Sequence, residues 1–283
     1  MFRKPADLMK GYTQISSLST IYARLNEAMN NPRSSMSHLA QIIKDDPGLT
    51  ARLLRLVNSA FYGFPSKIET ITRAIVIVGM QQLRDLAMAT SIVNLFTGIP
   101  EHLVSMESFW RHSIACGVAA RILATYRRET NVERFFVAGM LHDIGRVIIN
   151  TKIPDKARKA LLRCKFNSEL LYVAEREVIG FDHAAVGHAL LQTWNLPDSL
   201  REVVAYHHNP SEARRFPMET AIIHVADIIA HAMQLGSSGE HFVPPVDGKA
   251  WETIGLPTSI LSPTLDQLER QGNDAIQTIL GDT

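Results

Sequence analysis

Apolar residues recur along this chain at spacings of three and four much more often than they alternate, and that period predicts helices. In "DDPGLTARLLRLVNSAFYG", Asp46 is placed to cap a helix that begins at Pro47, and Leu49, Leu53, Leu54, Leu56 and Val57 mark its apolar face. Gly63 closes the turn that follows. "TITRAIVIVGMQQLRDLAMATSIVNLF" reads as two helices, a short one capped by Thr70 or Thr72 and ended by Gly79, then one patterned by Leu83, Leu86, Ala87 and Val93. The run "AIVIV" also suits a buried strand, but it is short and stands among helical neighbours. The same period returns in "SFWRHSIACGVAARILATYRR", "VAGMLHDIGRVIIN", "LLYVAEREVIG", "DHAAVGHALLQTWN", "DSLREVVAYHH" and "METAIIHVADIIAHAMQL". The fold expected is therefore all-α, a multi-helix bundle of two packed helical subdomains. "TGIPEHLVS" at 97–105 is the expected boundary, dividing an N-terminal helical part, 1–100, from a second bundle, 101–235. "GSSGEHFVPPVDGK" at 236–249 reads as a loop, and "SPTLDQLERQGNDAIQTILG" as a closing helix, so that 236–283 forms a tail.

Composition narrows the class. With 283 residues, 46% of them hydrophobic, the chain can bury a substantial core. Its 29 Lys and Arg balance 28 Asp and Glu, and no like charges run together, so neither a nucleic acid nor an anionic membrane is expected as a partner. Cys116 and Cys164 are far apart and fit no CxxC pattern, the opening "MFRKPADLMKGY" lacks the apolar core of a signal peptide, and no run approaches a membrane span. These features predict a cytoplasmic protein.

Polar residues that interrupt the apolar faces are the candidate chemistry. They are His112, the pair His142 and Asp143, His183, the pair His207 and His208, and Asp227, each from a different predicted helix or helix end. Adjacent residues on a helix point about 100° apart, so His142 and Asp143 meet at one site only at the edge of a face. His207 and His208 meet most easily at a frayed helix end before Asn209 and Pro210. Imidazole with carboxylate suits Zn, Fe, Mn or Ni, and oxygens are too few for Ca. No spacing is a local metal motif, and each residue has a plainer reading. Asp143 can pair with Arg146 at i+3. Asp227 can belong to a polar network with His224 and His231 at i−3 and i+4. His112, His183 and His188 taken singly are more often satisfied by a neighbour or by solvent, and His38, His102, His224, His231 and His241 read as surface or capping residues.

In this order, His112, His142–Asp143, His183, His207–His208 and Asp227 resemble the HD superfamily of metal-dependent phosphohydrolases. "IIKDDPGLTARLLRLVNSAFYGFPSKIETITRAIVIVGMQQLRDLAMATS" resembles the HDOD domain, the HD-related output domain of bacterial signalling proteins, and the likeness runs over about residues 14 to 232. It implies one metal shell of His112, His142, Asp143 and Asp227, and a second of Asp143 as a bridge with His183, His207 and His208, for one or two divalent ions. Asp143 and Arg146 would then be the catalytic pair, Arg146 standing where many relatives carry lysine and gripping phosphate as a planar fork. "NPSEARRFP" lacks a Gly-Tyr-Pro signature, so cyclic-dinucleotide specificity is not implied, and Ser108 replaces the glutamate that serves a third metal in some relatives. Two functions are in view. One is a signal-transduction module that meets a protein partner or a nucleotide-like ligand, and the other is a metal-dependent phosphohydrolase or phosphodiesterase acting on a nucleotide-like phosphoester. Arg214 and Arg215 are the phosphate contacts that the loop after His208 offers, against a reading as solvated loop charge, and Phe61, Tyr62 and Phe64 are expected to seal the junction between subdomains.

Overall fold

The computed structural model describes residues 4–10, 20–31, 33–96 and 103–281. The boundary expected at 97–105 falls, for residues 97–102 and with His102, outside the described residues. The described residues contain no strand, as the helical period predicts. The helices are α1 (Thr20–Asn30), α2 (Met36–Lys44), α3 (Pro47–Val57), α4 (Ile71–Val78), α5 (Met80–Leu95), α6 (Met106–Tyr126), α7 (Glu133–Leu141), α8 (Ile144–Lys152) and α9 (Pro154–Asn167). They continue as α10 (Leu171–Ile179), α11 (His183–Thr193), α12 (Asp198–Tyr206), α13 (Pro217–Ala232), α14 (Gly248–Ile254) and α15 (Leu261–Leu280).

Local chemistry sets several of these ends. Asp46 Oδ1 accepts from the Leu49 amide at 2.9 Å with Pro47 in the first turn, and Thr70 Oγ1 accepts from Arg73 N at 3.1 Å. The run "AIVIV" lies in α4, and Gly79 at φ 104° ends it. The loop after α13 stops at Asp247, whose side chain caps α14, so helix resumes at Gly248 rather than after residue 249.

Helix α6 is apolar nearly all round, from Phe109 to Ala124, and it is the axis of the bundle, with α7, α13 and α15 packed around it. Two close crossings hold the helices that carry the polar residues. A methyl group on Gly139 would lie 2.6 Å from the Gly117 backbone, so α6 and α7 touch main chain to main chain. A methyl group on Gly145 would lie 2.0 Å from the His183 carbonyl oxygen, which puts α8 against α11 in the same way. Only glycine permits either approach, and the two glycines flank His142 and Asp143.

The N-terminal helices join this bundle where α5 meets α7 and α3 meets α15. Phe61 is fully buried there, edge-on to Phe136 with centroids 4.9 Å apart, under the Arg121 guanidinium at 4.1 Å. Arg121 also donates to the Phe61 carbonyl at 2.8 Å, and the Tyr62 hydroxyl donates to Glu133 at 2.9 Å while its ring stacks on Phe64. The three aromatics thus seal a junction, as their sequence suggests.

Candidate metal centre

The pair His142 and Asp143 does not lie within one helix. Helix α7 stops at Leu141 and α8 starts at Ile144, and Asp143 between them has φ −98° and ψ 5°. His142 keeps helical dihedrals (φ −55°, ψ −39°) and Asp143 departs from them mainly at ψ, so the two side chains reach the cluster from the edge of one face while the chain turns away into α8. His207 and His208 follow directly on Tyr206, the last residue of α12, with His207 still at helical dihedrals. His183 begins α11, while His112 and Asp227 project from the middles of α6 and α13.

Main-chain acceptors orient the rings. His142 Nδ1–H donates to the Gly139 carbonyl at 2.6 Å, and His207 Nδ1–H to the Val204 carbonyl at 2.9 Å. His183 Nδ1–H donates to Glu175 Oε2 at 2.6 Å, and the same oxygen accepts the His183 amide at 2.8 Å. With Nδ1 committed outward, each ring points Nε2 into the cluster, which is how second partners fix metal-binding imidazoles.

Asp143 stands at the centre. Its Oδ1 is 3.0 Å from His183 Nε2 and 3.7 Å from His207 Nε2, while Oδ2 is 3.4 Å from His142 Nε2 and 3.9 Å from His112 Nε2. Asp227 Oδ1 lies 3.0 Å from His112 Nε2 and 3.3 Å from His142 Nε2. His208 Nε2 is 2.8 Å from His183 Nε2, and its ring stacks on Tyr172. In sets of three or four, these groups bring one ligand atom each within 4.8 Å of the others: Asp143, His183, His207 and His208 in one, His112, His142 and Asp143 in another. Two further sets use Asp227, one with His112 and His231 and one with His142 and Cys116.

The donor set fits a divalent ion. His112 Nε2, His142 Nε2, His207 Nε2, both Asp143 oxygens and Asp227 Oδ1 are buried without a hydrogen bond of good geometry, a cost that proteins rarely accept without a ligand. Charges are distributed to match. Burial brings the His112 imidazole down to about 4 and lowers His207 and His208, so these rings stay neutral. Burial opposes charge on His183 and so does Arg146, yet Glu175 and Asp143 carry it up to about 9. Burial opposes charge on His142 also, but Asp143, Cys116 and Asp227 hold it well above the usual imidazole range. Asp143 and Asp227 resist burial by virtue of their cationic neighbours and stay well below the usual carboxylate range. Protons thus sit where a cation belongs.

Arg146 takes part rather than offering an alternative. Its Nε lies 3.3 Å from Asp143 Oδ1, and one terminal nitrogen donates to the Ser238 carbonyl at 3.2 Å. The ion pair expected at i+3 and the histidine cluster therefore coexist. His231, read as a surface or capping residue or a partner of Asp227, approaches Asp227 Oδ1 at 3.3 Å. His224 does not reach Asp227, because its Nδ1–H goes to the His207 carbonyl at 2.8 Å and its Nε2 accepts the Asp247 amide at 3.0 Å. His188 is satisfied by the Arg201 carbonyl. Arg215 pairs with Asp198 at 2.5 Å, and the amides of Arg214 and Arg215 both donate to Glu202, which makes this segment a braced surface loop. Ser108 holds the loop after α13, accepting the Ser237 amide at its carbonyl and hydroxyl. Sequence reasoning missed Glu175, Tyr172 and Cys116. For Glu175 a signal exists, since it falls with Leu171, Ala174 and Val178 on the apolar face of α10 and is 3% exposed.

No helix among the described residues is long and apolar enough to cross a membrane. Comparison with known proteins places the chain in a family. A curated protein of Treponema pallidum (strain Nichols), itself uncharacterized, is 25% identical over 196 residues, which are 69% of this chain and 38% of that protein. The chain thus spans well under half the length of that relative. An HDOD domain protein of unknown function from Geobacter sulfurreducens has the same fold, with a TM-score of 0.80 and 24% identity over 97% of this chain and 96% of its own. A candidate phosphohydrolase from Shewanella amazonensis SB2B superposes with a TM-score of 0.76 at 23% identity, over 98% and 99% of the two chains. The family model for the HDOD domain matches residues 15–210, more than two thirds of the sequence, and on that match the chain belongs to the HDOD family.

Proposed function

We propose that the protein is a signal-transduction module in which His112, His142, Asp143, His183, His207, His208 and Asp227 hold one or two divalent ions, and that it acts in the cytoplasm on a protein partner or in response to a nucleotide-like ligand. The observation that carries this reading is the enclosure of the cluster: His112, His142, His183 and His207 are 0% exposed and Asp143 is 1% exposed. A phosphoester would have to reach atoms that the packed helices enclose on nearly every side. Metal held there ties α6, α7, α11, α12 and α13 to one point and fixes the surface those helices present.

A second reading, hydrolysis of a nucleotide-like phosphoester, is favoured by Arg146, a buried guanidinium beside Asp143 suited to a phosphate. Divalent ions at such a cluster supply Lewis acidity toward a phosphoryl oxygen. Asp143 would hold and space the ions, Arg146 would orient the phosphoester, and Tyr172 and His208, at the half-exposed edge, would have to move to admit it.

Elemental analysis of protein purified without chelator, wild type beside Asp143→Ala, tests the proposal. One or two equivalents of Fe, Mn, Zn or Ni are expected in the wild type and none in the variant. Absence of metal in both overturns the metal reading. Turnover of bis-p-nitrophenyl phosphate or a nucleoside phosphate by the wild type, abolished in the variant, replaces the signalling reading with the hydrolytic one.

A further inference from the structure

His231 lies outside both metal shells that the family likeness implies, and beyond the residues 15–210 that the family model matches. We propose that it is a metal ligand, joining His112 and Asp227 at the α6 and α13 end of the cluster. This inference rests on the metal-binding reading above and extends it to a residue and to a class of ion.

Three imidazole nitrogens converge on one carboxylate oxygen. Asp227 Oδ1 is 3.0 Å from His112 Nε2, 3.3 Å from His142 Nε2 and 3.3 Å from His231 Nε2. Donor atoms that each lie about 2.0–2.1 Å from one ion are themselves roughly 2.8–3.4 Å apart at octahedral or tetrahedral angles. The simpler account, a helical hydrogen bond between His231 and Asp227 at i+4, does not match the geometry, because Asp227 Oδ1 completes no hydrogen bond although three nitrogens surround it. The His231 ring also lies against His112, centroids 4.3 Å apart and tilted by 38°, with its side chain 7% exposed.

With His231 counted, each end of the cluster sets more than one imidazole beside a carboxylate. His112, His231 and Asp227 form one such set and Asp143, His183, His207 and His208 another, with His142 between them beside Asp143 Oδ2 and Asp227 Oδ1. Two imidazoles with Asp227 at the α6 and α13 end, and three with Asp143 at the other, select first-row transition ions of the Fe, Co, Ni and Zn group and disfavour Mg or Ca, which require oxygen.

Titration of the metal-free full chain with Co(II) and with Zn(II), following stoichiometry and the visible absorption of the cobalt form, tests this. Wild type is expected to take up two equivalents. His231→Ala and His231→Gln are both expected to bind one of them about 100-fold more weakly, with an altered cobalt band and an unchanged melting temperature of the metal-free protein. His208→Ala should weaken the other equivalent. If His231→Gln binds both ions like wild type, His231 is not a ligand and the inference fails, whatever His231→Ala does. If wild type binds neither ion, the metal reading itself fails, a result that no variant can mimic.

Discussion

Glu175 shows what a single residue contributes without touching the centre of the cluster. Its Oε2 accepts both the ring Nδ1–H and the backbone amide of His183 at 2.6 and 2.8 Å, and it does so 3% exposed, a position where a carboxylate is stable only when fully used. Its removal frees the His183 ring to rotate and to exchange tautomers. Glu175→Ala is expected to weaken metal binding about 10- to 100-fold, and Glu175→Gln, which still accepts at its amide oxygen, to recover most of that loss. Competition with a chelator of known affinity reads both, and equal affinity in wild type and Glu175→Ala would remove Glu175 from the account. At this scale the sequence reveals a good deal. Histidines and carboxylates set into apolar faces at His112, His142, Asp143, His183, His207, His208 and Asp227 stand out against their neighbours, and the fold brings all seven together. His231 does not stand out, because i+4 spacing from Asp227 explains it, and Glu175 stands out only when its place at i+4 from Leu171 on the apolar face of α10 is read.

Among the elements, the break between α7 and α8 turns the chain out of the cluster and lays α8 on α11. Periodicity in "VAGMLHDIGRVIIN" reads as one helix since its apolar residues keep a helical period straight through the pair, and no proline announces the interruption. What the sequence does carry is the glycine on either side. Gly145 lets α8 lie on α11 with a backbone contact that a methyl group would shorten to 2.0 Å against the His183 carbonyl. Gly145→Ala must therefore push α11 away or fail to fold, at a cost of about 3 kcal/mol or more, the upper range for overpacking. A urea melt of the metal-free protein checks the cost, and unaltered stability would mean that the crossing is looser than described. Helices α9 and α14 are harder to foresee, the first because five cations in "PDKARKALLRCKFN" blur its apolar face and the second because it is only seven residues long.

For the whole molecule, the helical class follows from the period of the chain, whereas the way its halves meet depends on contacts between residues far apart in sequence. Phe61 and Arg121 are 60 positions apart, and Tyr62 and Glu133 are 71 apart. No local pattern specifies such a seal, although the run "NSAFYGF" marks where aromatics gather. Phe61→Ala is expected to cost about 3–5 kcal/mol, since it opens a void at a fully buried site and strips the cover from the Arg121 charge. Calorimetry distinguishes two results. A single transition at lower temperature means that the halves unfold together, and two separate transitions mean that the seal was what coupled them.

The hydrogen bonds of His142 and His207 to the carbonyls of Gly139 and Val204 bear on how the centre can change over evolutionary time. Main-chain oxygens survive every substitution that leaves the helix intact, so the aim of these two rings is insulated from drift in the side chains nearby. His183 enjoys no such insurance, for its aim is set by the carboxylate of Glu175, which a single base change can replace. Relatives that lose the centre while keeping the fold are accordingly expected to have lost it first at the α10 and α11 end.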